Sequence, residues 1–271
     1  MLNKMRFPAF RPGNQTSSWL DGILASAVFD LDATVAASYG GSGQGWSNLV
    51  AAPADGLAQT AYDFYLGNTA AATGADPAFT GSAGSTSAYW AFDGGDFLQA
   101  QNVPTWLANV QRTDIANPAT FIVAFRSASV TFHNIFGHLQ SGTAANVYSV
   151  RVSSGQLQYF GRGNGVNVAY NIGGAVAAGT DYLLIVSLDM QNRIGKFWLN
   201  SRTGTAFTPP ASTSTAPAAS NFQAGSSGYG SSPFPSGSRL YACGAANAVL
   251  NDAAAGLIFD HYNARHARTY A

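Results

Sequence analysis

An all-β sandwich of antiparallel strands is the fold class that this sequence predicts, and three observations carry the prediction. The first is a hairpin at residues 180 to 204, TDYLLIVSLDMQNRIGKFWLNSRTG. Tyr182, Leu184, Val186 and Leu188 fall on one face of an extended strand, with Leu183 and Ile185 on the other. Such a strand belongs inside a sheet with something packed on each side. Residues 189 to 193 turn the chain, and residues 194 to 200 run back with bulky aromatic and aliphatic side chains. The second observation is a clean alternation from 147 to 160. Tyr148, Val150 and Val152 point one way and Ser149 and Arg151 the other; Ser154-Gly155 turns the chain, and Leu157 and Tyr159 keep the period. The third is composition: the 13 acidic residues are all aspartate, and lysine occurs only as Lys4 and Lys196. Without Glu and Lys the usual surface formers of long helices are missing.

Taken in order, residues 1 to 20 hold Pro8, Pro12 and Gly13 without periodicity and read as an arm or tether, with Phe7, Phe10 and Trp19 available for docking. Residues 21 to 271 read as one domain. A short helix near Trp19 leads into a strand ending near Asp30. Short apolar runs separated by turn residues follow to Gly95, and residues 67 to 87 form a Gly-, Ala-, Thr- and Ser-rich surface loop. Strands are expected at 89 to 92, 120 to 125 and 134 to 137, ahead of the two hairpins. Residues 205 to 237, rich in Pro, Ser and Gly, form a long loop with room for one short segment. Residues 239 to 243 and 255 to 259 read as closing strands, and 260 to 268 as a short terminal helix. Trp90, Phe92, Phe197 and Trp198 sit in strands and are expected in the core.

Composition also excludes. Hydrophobic residues make up 46% of the chain, enough for a substantial core, but charged residues only 10%, and the formal net charge is zero. No global field attracts nucleic acid or an anionic membrane. No stretch is long and apolar enough to span a bilayer. The single cysteine, Cys243, rules out an intrachain disulfide and a multi-cysteine zinc site, and is expected to pack as a small apolar residue. The N-terminus lacks the apolar core and cleavage site of a secretory signal, so synthesis in the cytosol is expected. His261 and His266 are five apart, about 140° around a helix; all four histidines are expected at the surface or the end of the domain.

The series AFDGGDFLQ, ATFIVAFRS, NIFGH, VYSVRVSSGQLQYFG, GTDYLLIVSLDMQNRIGKFWLNSRTG and GLIFDHYNAR resembles the laminin-G-like, concanavalin A-like lectin superfamily over residues 89 to 268. That likeness implies a two-sheet antiparallel jelly roll. FDLDAT, GWSNLVAAPADG and YDFYLG, ahead of it, look similar to virion proteins of tailed phages and of gene transfer agents of α-proteobacteria. The resemblance implies a head-spike or fibre protein exposed on a particle, held to other virion proteins by its arm, forming a homo-oligomer and binding host-surface polysaccharide. A purely structural decoration or connector protein of the particle is the first alternative, and a polysaccharide-degrading enzyme the second. No cofactor is expected; were calcium bound, Asp93, Asp96 and Asp189 are the positions the likeness offers.

The superfamily also holds glycoside hydrolases, which pair acidic residues, normally glutamates, across a cleft. This chain has none, and Asp30/Asp32 and Asp93/Asp96 read as strand-end and turn residues, so a non-enzymatic protein is expected. Sugar rings stack on aromatic faces while amides bond their hydroxyls. The expected ligand-binding residues are therefore Trp46 with Gln44 and Asn48, Tyr170 with Asn167 and Asn171, and Tyr229.

Overall fold

Strands supply most of the regular structure in the computed structural model, which describes residues 19–138, 147–163, 166–209, 215–218, 220–226 and 232–271. Helix α1 (Trp19–Ile23) precedes β1 (Ala27–Asp32) and the short strands β2 (Gly45–Trp46), β3 (Phe64–Leu66), β4 (Ala78–Thr80), β5 (Tyr89–Ala91) and β6 (Leu98–Ala100). After α2 (Thr105–Ala108) come β7 (Ala119–Arg126), β8 (His133–His138), β9 (Val147–Ser153), β10 (Gln156–Gly163), β11 (Val166–Ala175), β12 (Asp181–Asp189) and β13 (Ile194–Leu199). Then follow β14 (Thr205–Phe207), β15 (Gln223–Ala224), β16 (Arg239–Ala246) and the terminal helix α3 (Asp252–His266).

The strands form two antiparallel sheets. The first runs β14-β13-β12-β7-β16-β5-β4, and the second β11-β10-β9-β8-β15-β6-β3-β2. One edge of β16 is shared end to end, Arg239 and Leu240 pairing with β5 and Ala242 to Ala246 with β1. This is the all-β antiparallel arrangement that the alternation predicts, in the two-sheet jelly-roll form that the resemblance implies. Both expected hairpins form: β12 pairs with β13, and β9 with β10 through Ser154 (φ 50°) and Gly155 (φ 72°). Positive φ at both central residues matches the twist of the flanking strands.

Between the sheets lies an aromatic core containing Phe29, Phe64, Phe121, Phe125, Phe136, Tyr148, Tyr159 and Phe222. A second cluster lies on the outer side of the first sheet, where Ile122, Ala124, Leu183, Ile185 and Trp198 meet Leu20, Ile258, Phe259 and Tyr262. The two-faced pattern of β12 is thereby explained: Leu184 and Val186 face the sandwich, and Leu183 and Ile185 face α3. Trp90, Phe92, Phe197, Trp198 and Cys243 are all buried, as expected.

Several boundaries are corrected. Residues 255 to 259 are not a strand but the first half of α3. Asn251 caps that helix, its side chain accepting from Ala254 N–H at 2.9 Å, and Ala253 to Ala255 favour it intrinsically. The loop from 205 carries two short strands, β14 and β15, and not a single segment. Leu20, read as arm, is fully buried in the second cluster; residues 1 to 18 of that arm lie outside the described residues.

Candidate functional site

Because Tyr148, Val150, Val152, Leu157 and Tyr159 fill the core, the alternate positions of β9 and β10 point outward. Strand register then lines up Asn171, Gln158, Arg151 and Asn134 across β11, β10, β9 and β8. A parallel row runs Ala169, Phe160, Ser149, Gly137, Gln223, Gln99 and Tyr65. Gly137 (φ 152°) is required within it, since a Cβ there would run into the Tyr148 carbonyl and Ser149. The outer face of the second sheet is thus an array of amides and hydroxyls with few rings.

Arg151 is its focus. Its guanidinium carbon stands 4.8 Å from the ring centroid of Phe132 and 4.5 Å from that of Phe160. Arg151 Nε donates to Gln158 Oε1 at 3.1 Å, and Gln158 Nε2 donates to Asn171 Oδ1 at 2.7 Å. Phe132 is 48% exposed, whereas Phe160 is buried. Burial lowers the basicity of Arg151 below the ordinary guanidinium value. Ser149, on the same face, is fully buried and its Oγ has no hydrogen-bond partner among the described residues. The arrangement offers a fixed cation, a partly open ring and free amide donors side by side.

Of the residues expected to bind, Asn171 alone joins this cluster. Trp46 has no accessible surface and packs edge-on against Trp90 at 5.7 Å, so no sugar reaches its ring. Asn48 is equally structural: its Oδ1 accepts from Asp30 and Val50 N–H at 2.9 and 3.0 Å, and its amide donates to Gln59 O at 3.2 Å. Gln44 is half-buried, with an enclosed Oε1 that has no partner among the described residues. Tyr170 pairs with Tyr159 and leans from the sandwich edge toward Phe207, 6.5 Å away, on the face opposite Asn171. The backbone of Asn167 pairs with that of Arg162; its side chain and Tyr229 lie outside what the structure describes. The aromatic-rich glycine loop misled because the same composition serves a core ring at a tight turn. Arg151 was legible as outward-facing; its ring partner Phe132 sits on a loop with no periodicity to announce it.

The remaining candidates settle as follows. Asp189 holds its own turn, accepting from Asn192 N–H at 3.0 Å and the Asn192 amide at 2.8 Å. Asp96 accepts from Asp93 N–H at 2.6 Å, and burial, with the Asp93 and Asp76 charges adding to it, lifts its carboxyl to about 6. Among the described residues no three His, Cys or Asp side chains are grouped to hold a metal ion. Asp30 and Asp32 are fully buried against α3 and bound by Arg265 at 3.2 and 3.1 Å. His133 and His138 depart from expectation, being buried at the two ends of β8, whereas His261 and His266 lie in the terminal helix α3 as expected but are buried as well.

No protein-family model matches this sequence, and no curated protein matches it. Solved structures match the fold. The sialidase of Trypanosoma rangeli in complex with sialic acid aligns with a TM-score of 0.53 at 13% identity, covering 85% of this chain and 32% of that one. The same enzyme with a difluoro-KDN ligand aligns at 0.52 and 13% identity, over 92% of this chain and 34% of that one. A carbohydrate-binding module of a Ruminococcus gnavus sialidase aligns at 0.45 and 14% identity, over 61% of this chain and 92% of that one. This chain therefore spans about a third of the length of the T. rangeli enzyme that it resembles. These structures correct the expectation of a non-enzymatic protein. The sandwich occurs within sialidases, which are enzymes, so missing glutamates are no ground for excluding catalysis.

Proposed function

We propose that this domain binds carbohydrate across the outer face of its second sheet, around Arg151, Gln158, Asn171 and Phe132. The observation that carries the reading is the chain of contacts from the ring-flanked guanidinium through Gln158 to the exposed Asn171. Amides offer donor and acceptor together, matching sugar hydroxyls, and a partly exposed ring suits the C–H face of a pyranose. Support for a sugar as the ligand class comes from the T. rangeli sialidase, whose fold is shared and which is described with sialic acid bound. On a glycan array the protein is expected to give saturable binding. Phe132→Ala and Asn171→Ala should each weaken it about 5- to 10-fold, the loss of one stacking or hydrogen-bonding contact, without moving Tm. Unchanged affinity in both variants would remove the site from this face.

The setting we propose is the surface of a virion, with host-surface polysaccharide as ligand and the N-terminal arm joining the domain to other virion proteins. The segments FDLDAT, GWSNLVAAPADG and YDFYLG support it. Removing residues 1 to 18 is expected to leave a folded, glycan-binding domain that no longer enters particles. Normal incorporation of the truncated chain would end this reading.

A further inference from the structure

Building on the glycan-binding reading, we propose that Arg151 selects a carboxylate-bearing sugar residue, which makes the ligand an anionic polysaccharide. All 13 acidic side chains of the protein fall within the described residues. Six of them pair with Arg112, Arg126, Lys196, Arg202, Arg265, His266 and Arg268, and none of the 13 pairs with Arg151. The contrast with Arg126 is direct: Arg126 grips both oxygens of Asp181 at 2.8 Å each. Arg151 spends only Nε, on Gln158, so its two Nη groups have no hydrogen-bond partner among the described residues.

A guanidinium with its Nη edge open is a planar fork matched to two carboxylate oxygens. The rings of Phe132 and Phe160 restrict its rotamers, so little freedom is left to lose on binding. Half-burial removes water that would otherwise compete for the charge, and an incoming anion restores what burial took away. The neighbouring amides and the open part of Phe132 serve the rest of the sugar, which favours a sugar acid over a free anion.

The test measures binding of the full-length protein to polygalacturonate, polysialic acid and hyaluronan, each beside its carboxyl-reduced form. The wild type should bind at least one acidic polymer ~10-fold or more tightly than its reduced form, a difference that shrinks with salt. Arg151→Gln should erase that difference, weakening binding of the acidic polymer ~10-fold more than binding of the reduced one, and Arg151→Lys should fall between, a point charge without the fork. Equal binding of native and reduced polymers by the wild type would overturn the carboxylate assignment and leave the glycan reading standing. So would Arg151→Gln weakening both forms alike, or a preference for dextran sulfate over every carboxylated polymer. Failure to bind any polymer, with Tm unchanged in all variants, would overturn both.

Discussion

Arg265→Met is expected to destabilise the protein by about 3–5 kcal/mol, the usual consequence of stripping one partner from a buried ion cluster. Arg265 Nη1 reaches Asp30 Oδ2 at 3.2 Å and Asp32 Oδ2 at 3.1 Å, and both carboxylates are fully buried. Tyr262 donates to Asp30 Oδ1 at 2.9 Å, Thr34 donates twice to Asp32 Oδ1, and His266 Nε2 lies 3.1 Å from Asp32 Oδ2. Burial alone would raise the Asp32 carboxyl, but the His266 and Arg265 charges outweigh it and hold it well below the usual range. A depressed carboxyl contributes stability that is complete above its unfolded value of 3.8 and is lost as pH falls below it. The cluster ties α3 to β1, joining residues more than two hundred positions apart. Trp198, whose Nε1 donates to Asp252 Oδ1 at 2.7 Å at the start of α3, provides a fluorescence signal in urea unfolding. Neutralising the group together, as Asp30→Asn, Asp32→Asn and Arg265→Met, should recover much of the loss. A cost below about 1 kcal/mol for Arg265→Met would mean that water reaches and screens the cluster.

How much of this was legible follows from the range of each interaction. The two-faced apolarity of residues 182 to 188 demanded cover on both sides, and α3 supplies it, because periodicity is a local property that burial imposes directly. The identity of the cover was not legible: GLIF within residues 255 to 259 is apolar at strand length, and a short apolar run fits either element until its packing partner is known. The Asn251 cap was the missed signal. At the candidate site, alternation already put Arg151 outside with Ser149, but its significance comes from Phe132 and from the absence of a carboxylate beside it, both products of the tertiary fold. Asp30 and Asp32 likewise read as local hydrogen-bonders, and only Asp32 is partly so, through Thr34; their main partner lies at the other end of the chain.

The buried histidines lead to the second large effect, a loss of about 4–6 kcal/mol in unfolding free energy between pH 7 and pH 5. Burial holds His133 and His138 at about 4, and burial with the Arg265 charge holds His261 at about 2, against an ordinary 6.5. The unfolded chain therefore takes up protons as pH falls through 6.5 while the folded chain does not. A base depressed in this way contributes stability that is complete above 6.5 and is lost as pH falls toward its folded value. Each group is worth about 1.4 kcal/mol per pH unit within that window, so three together approach about 4 kcal/mol per unit below pH 6. His138 is wedged between Tyr148 and Phe222, ring centroids 5.5 and 5.4 Å away, and its Nδ1 donates to Ser220 O at 2.6 Å. A proton on Nε2 would place a charge among those rings. His133 sits against Phe234 at 5.6 Å with Nδ1 2.7 Å from Thr131 O. Urea midpoints at pH 7, 6 and 5 measure the slope, and His133→Gln and His138→Gln should each flatten it by about a third. This window lies above that of Asp32, so the two contributions separate on one titration. A slope shallower than about 1.4 kcal/mol per unit would show that these imidazoles charge in the folded state as readily as in water, and that the interior beneath the second sheet is open to solvent.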